Sequence, residues 1–138
     1  MVDVKRVPEL AAGIRVDGGS LVIGATTVMT DVAADPLVRR HAPALAEAAA
    51  VVGSVQIRNR ATLAGNVCNA SPAADTVPAL LVHGAVVLVA GPDGTRRIPV
   101  DDLFVRSGVT TLLRGELVTA IELPLPIEHI ASAHQRRT

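Results

Sequence analysis

The sequence predicts an α+β fold: a mixed or antiparallel sheet of about five strands flanked by helices. Two observations lead there. Two stretches pair β-type runs across turn residues, at 13–23 and 85–100, and a further such run occupies 115–124. An alanine-rich stretch with helix punctuation, 30–53, lies between them.

The chain opens on VDVKRVPEL, where the alternation of Val2, Val4 and Val7 predicts a short strand or extended lead-in, with Pro8 beginning a turn. Asp17-Gly18-Gly19 is a hairpin signal between Gly13–Val16 and Ser20–Ile23, and Gly24-Ala25 ends the second strand. Thr30 or Asp31 is a candidate cap for a short helical turn, and Asp35-Pro36 forms an N-cap and N1 pair. Pro43 restarts a helix. Leu45, Ala48, Ala49 and Val52 give it one apolar face, and Gly53 closes it. This helix is read as packing.

Residues 55–81 carry the candidate chemistry. A polar lead-in of Gln56, Arg58, Asn59 and Arg60 precedes Thr62 and a tight turn at Ala64-Gly65-Asn66. A second turn, Asn69-Ala70-Ser71-Pro72, ends at Asp75. Gly65 lacks a Cβ, so a ligand can approach its main chain. Successive turn N–H groups form an anion-receiving concavity. Thr62, Asn66 and Ser71 add neutral donors, and Asp75 adds an acceptor suited to ribose hydroxyls or ring N–H groups. The structural alternative is that Thr62, Asn66 and Asp75 only stabilise turns and caps, with Asn69 and Ser71 bonding within the loop.

A helix starting near Pro78 follows. Ala85–Ala90 reads as a buried strand, Gly91–Gly94 as a hairpin turn, and Arg96–Val100 as an edge strand because Pro99 cannot donate to a central ladder. Asp101–Phe104 begins a helical turn, and Gly115–Pro124 is the last strand, with Glu122 facing outward.

Composition narrows the function classes. The 138 residues are enough for one domain, 49% are hydrophobic and the formal net charge is zero, which argues against nucleic acid or an anionic membrane surface as the main partner. No apolar run reaches spanning length. A single cysteine, Cys68, allows no intrachain disulfide and fits a reducing compartment, giving a cytoplasmic expectation. No nearby His or CxxC supports Cys68 as a redox thiol, and the four histidines have no metal-ligand spacing. With no Trp or Tyr and one Phe, the core must be built from aliphatic side chains, a hint that the chain is not a self-sufficient unit.

QIRNRATLAGN followed by NASPAADTVPALL resembles the second half of the FAD-binding domain of molybdenum hydroxylases, in the flavin-carrying medium subunit of carbon monoxide and xanthine dehydrogenases. The opening VDVKRVPEL, the DGG hairpin, GELVTAIELP and the closing RRT resemble the same family. The one departure in the loop is Ala64, where the family has its first glycine.

The resemblance implies a vanillyl-alcohol-oxidase (PCMH)-type flavin domain with FAD as cofactor. It implies cofactor contacts from Thr62, Ala64, Gly65, Asn66 and Asp75, and from Val118, whose bland alternative is plain strand core. It further implies partner subunits: a large subunit with the molybdenum cofactor and a small one with 2Fe-2S clusters. Residues 1–126 then correspond to the second FAD-binding subdomain, and 127–138 to the start of a connection to a C-terminal subdomain. The family's N-terminal pyrophosphate loop has no counterpart in residues 1–54, so the chain is expected to be a fragment. The role so implied is electron relay from molybdenum and iron–sulfur centres through FAD to an acceptor. Against it stands a non-catalytic remnant or assembly module that does not bind FAD alone. A generic nucleotide-binding domain would require the SPxxD spacing to be coincidence.

Overall fold

The computed structural model describes residues 3–125 and 131–137. Its centre is one antiparallel sheet of five strands in the order β1-β2-β7-β3-β4. The strands are β1 (Ile14–Asp17), β2 (Ser20–Gly24), β3 (Val86–Gly91), β4 (Gly94–Pro99) and β7 (Leu117–Pro124). The antiparallel arrangement holds at every pairing, so the mixed alternative is excluded.

The two hairpins form where the turn residues require them. Gly18 and Gly19 have φ of 56° and 78°, the left-handed pair that a two-residue turn between Asp17 and Ser20 demands. Pro92-Asp93 joins β3 to β4, and Pro99 ends β4 at the sheet edge. The last strand in sequence sits in the middle. β7 pairs with β2 on one side and β3 on the other and so fuses two otherwise separate hairpins.

One face of the sheet is the core face. Leu21, Ile23, Val87, Val89, Ile98, Ile121 and Leu123 are buried there. Helices α1 (Met29–Ala34), α2 (Pro36–His41), α3 (Pro43–Ala50), α5 (Leu63–Cys68), α6 (Thr76–Val82) and α7 (Val100–Leu103) complete that core with Met29, Val32, Val38, Leu45, Leu63, Leu80 and Leu103. Aliphatic side chains, alanines and Met29 make up its buried cluster, with Phe104 and Cys68 packed against it. The opposite face carries Arg97 ion-paired to Glu122, which is the outward orientation the sequence predicts for Glu122.

Four expectations are corrected. The lead-in is not a strand: Asp3 caps a 3₁₀ turn, Val4–Arg6, by accepting from Lys5 N, while Val2 lies outside the described residues. Neither Thr30 nor Asp31 caps α1: its N-cap is Val28, so both lie inside the helix, and the Thr30 hydroxyl donates to Asn59 at 2.6 Å. The polar lead-in and the 64–66 turn are helical, as α4 (Val55–Arg58) and α5. Finally, Phe104, expected in the helical turn, lies outside α7 and begins a small hairpin of β5 (Phe104–Arg106) and β6 (Val109–Thr110). Other expectations hold, including Asp35 as the cap of α2, accepting from Leu37 N and Val38 N.

Candidate functional site

The polar segment 53–75 is held against the end of β2 by backbone pairing. Val28 and Thr62 form an isolated bridge: Met29 N donates to Ala61 O at 2.8 Å and Leu63 N to Thr27 O at 3.2 Å. Thr27 is itself fixed, since its hydroxyl accepts from Gly13 N and donates to Gly13 O. Upstream, Ser54 caps α4 through Ile57 N, and the Arg58 guanidinium donates to the carbonyls of Val52 and Gly53. The Lys5 ammonium donates to the Arg60 carbonyl.

Thr62 is therefore delivered in an extended conformation as the N-cap of α5, accepting from Gly65 N at 3.0 Å. This explains Gly65 in a way the sequence does not suggest. Its φ is not left-handed, yet a Cβ there would stand 2.9 Å from Thr62 Oγ1. Gly65 is the residue that lets the capping hydroxyl sit close, and it is exposed. Ala64 is 6% exposed inside α5, where its methyl packs into the core. The departure from glycine at this position thus adds buried apolar area and strains nothing.

Asn66 is locked from the other side. Thr76, fully buried at the start of α6, donates to Asn66 Oδ1 at 2.6 Å. Among the described residues nothing accepts from its amide nitrogen, so two donors remain free. Asp75 precedes Thr76 but makes no capping hydrogen bond. Its carboxylate lies 3.8 Å from the Arg136 guanidinium and stays 21% exposed. Capping thus fails as an explanation of Asp75. Between these residues, Ala70 takes φ of 50° and its carbonyl accepts from Gly108 N, tying the loop to the β5–β6 hairpin. Ser71 closes a turn by accepting from Ala73 N.

The structure thus joins Thr62 to Gly65 at the N-terminus of α5 and Asn66 to Thr76, the residue after Asp75, at the start of α6, while Ala64 is buried within α5. Val118 is different. A bulge at Thr119 turns it onto the core face opposite Val89, where it is 8% exposed. Cys68 is half-buried beside the site, and burial raises its pKa, which favours the inert thiol. What sequence reasoning misses is Thr76, the anchor of Asn66, and the partnership of Asp75 with Arg136. Neither has a local motif. Among the described residues no cluster could hold a metal ion, and no helix is long and apolar enough to cross a membrane.

Around α5 and the start of α6 the chain thus offers a hydroxyl, free amide donors, exposed glycine backbone and a carboxylate. A family model described as the FAD binding domain in molybdopterin dehydrogenase matches residues 1–126, and the chain belongs to that family. It is 36% identical over 135 residues to the xanthine dehydrogenase FAD-binding subunit of Escherichia coli O157:H7, covering 97% of this chain and 46% of that subunit. It is 36% identical over 124 residues to the carbon monoxide dehydrogenase medium chain of Hydrogenophaga pseudoflava, covering 90% and 43%.

Solved structures agree. Carbon monoxide dehydrogenase from H. pseudoflava superposes with a TM-score of 0.82 at 37% identity, over 87% of this chain and 42% of that one. Quinoline 2-oxidoreductase from Pseudomonas putida 86 gives 0.83 at 30% identity, over 91% and 44%. The α+β sheet is the fold of these relatives, and the chain spans less than half the length of the curated relatives it matches.

Proposed function

We propose that this chain is the FAD-holding portion of a molybdenum hydroxylase flavoprotein subunit. One observation carries the reading beyond family membership. The Thr62–Gly65 cap and the Thr76–Asn66 lock fix a hydroxyl and two unclaimed amide donors on α5, and the Asp75 carboxylate stands beside the lock at the start of α6. Thr62 already accepts from Gly65 N, so its own proton is free to donate to a phosphate or ribityl oxygen. Asn66 adds donors to the same anionic group. Asp75 accepts from ribose hydroxyls. Ala64 supports α5 from below, and Val118 acts at one remove, by holding β7 in register under the site. No residue here acts as an acid or base. Bound FAD supplies the redox chemistry, and the protein supplies binding and orientation.

In the complete enzyme so proposed, electrons come from a molybdenum cofactor on a large subunit by way of 2Fe-2S clusters on a small one. They leave through FAD to an acceptor. The subdomain assignment of 1–126 and the connecting role of 127–138 belong to the same proposal, as does a cytoplasmic location.

The test is flavin retention. The purified chain is mixed with FAD, desalted, and its visible spectrum recorded. With no Trp or Tyr in the sequence, the near-ultraviolet bands belong to the flavin. Retained FAD that is lost in an Asn66→Ala, Asp75→Ala double variant supports the reading. A folded chain that retains none, even when the upstream half of a relative is supplied as a separate chain, overturns it. That result favours the non-binding assembly module.

A further inference from the structure

Residues 131–137 are not idle. Ser132 Oγ accepts from Ala44 N at 3.3 Å, at the start of α3, and meets His83 Nε2 at 3.1 Å, at the end of α6. His134 N donates to Glu47 Oε2 at 2.8 Å, one turn further along α3. Arg136 reaches Asp75, at the other end of α6. The lengths agree: eight helical residues from Asp75 to His83 rise about 12 Å, and four extended residues from Ser132 to Arg136 reach about 13 Å. The segment therefore runs extended along the α3–α6 groove, antiparallel to α6. Its exposure alternates with a period of two. Ser132 and His134 are half-buried, Ala131, Ala133 and Gln135 are exposed, and His134 Nε2 is fully covered.

We propose that this segment is a strap whose Arg136 occupies the Asp75 carboxylate, so that a ligand needing Asp75 must displace it. The ligand class is a nucleotide presenting ribose hydroxyls, which rests on the FAD reading above. Three features make the strap displaceable rather than permanent. The Arg136–Asp75 contact is a solvent-screened pair at 3.8 Å between groups exposed by 56% and 21%, which is weak. The other anchors, at Ala44, Glu47 and His83, lie on helices away from Asp75, so Arg136 can swing off while Ser132 stays docked. And Asn66 is held by Thr76 independently of the strap, so its release leaves the rest of the site standing.

The experiment compares the full chain with Arg136→Gln. FAD is titrated into both, and amide hydrogen exchange of residues 132–137 is followed with and without FAD. The expected result is about two- to fivefold tighter FAD binding by R136Q, the range an exposed ion pair supplies, and faster exchange of the His134 amide, which Glu47 holds, in the wild type once FAD is bound. Equal binding by R136Q, or slower exchange on adding FAD, overturns the proposal; weaker binding by R136Q also overturns it and makes Arg136 a ligand contact instead. If neither chain retains FAD, even with the upstream half of a relative supplied as a separate chain, the flavin reading fails and the strap is judged on exchange alone. Faster exchange of the His134 amide in R136Q then supports a docked strap on Asp75, and unchanged exchange overturns it.

Discussion

The sheet and the α5–α6 junction are held together by opposite means. The sheet is a surface-area structure: Leu21, Ile23, Val87, Ile121 and Leu123 are each at most 1% exposed and share their burial with many neighbours. The junction shares that burial through Leu63, Val67 and Leu80, but its polar groups are placed by single directed contacts, Thr62 to Gly65, Thr76 to Asn66 and Val28 to Thr62. Area-based stability is distributed and tolerant of rearrangement. Contact-based geometry fails one bond at a time, but each bond leaves a specific polar group aimed at solvent. A binding site needs the second kind, and a domain can carry it because the first kind supplies the stability.

Variants break this comparison in order of size. Ile121→Ala, in the strand that joins the two hairpins, should lower unfolding free energy by about 2–5 kcal/mol, read by urea denaturation. A loss below 1 kcal/mol would mean that β7 does not bear on the core as described. Thr62→Ala should cost about 1 kcal/mol, the usual worth of an N-cap, with a disproportionate loss of FAD retention.

The sheet's rim adds a pH arm. Glu116 accepts from Arg96 and from Leu113 N, and these contacts hold its pKa at about 2, below the ordinary 4.5. A carboxylate depressed on folding stabilises above its unfolded pKa and loses that contribution as pH falls towards the folded value. Urea midpoints should therefore drop more steeply between pH 5 and pH 2 in the wild type than in Glu116→Gln. Parallel curves would remove Glu116 from the account.

Gly65→Ala sharpens the contrast further. Alanine normally gains up to about 1 kcal/mol over glycine inside a helix, but here its Cβ displaces the Thr62 hydroxyl. The single variant should be nearly neutral in stability, and the same change on a Thr62→Ala background should be stabilising. Equal effects in both backgrounds would show that the two residues do not meet. Arg97→Ala, removing a partner from an exposed pair, should cost less than about 1 kcal/mol by the same assay.

Much of the fold was legible because its signals are local. Gly18-Gly19, Asp35-Pro36 and the Pro92–Gly94 turn each fix their own geometry. The turn expected at Ala64-Gly65-Asn66 rests on a glycine and an asparagine that look like turn residues. The burial of Leu63, Ala64 and Val67 makes 63–68 a helix instead, and that burial depends on the distant sheet. The β5–β6 hairpin is too short for an alternation pattern, and its Ser107-Gly108 turn was the one available sign. Of the site, the residue types and their spacing were visible in sequence. The reason for Gly65 and the contact between Asp75 and Arg136 span distances no local pattern encodes. Val118 was legible only as an apolar strand residue, and the bulge that aims it inward is set by its partner strand.

The position of β7 has a consequence for how the chain reaches its native state. Each hairpin can zip up from its own turn, but neither gains its long-range partner until residues 117–124 insert between them. Closing those loops, from β2 to β7 and from β7 back to β3, is the slow, entropically costly step. Until it happens, both hairpins present unpaired inner edges able to capture other chains. The folding rate and the tendency to aggregate during synthesis are thus governed by one strand that emerges from the ribosome after both hairpins it must join.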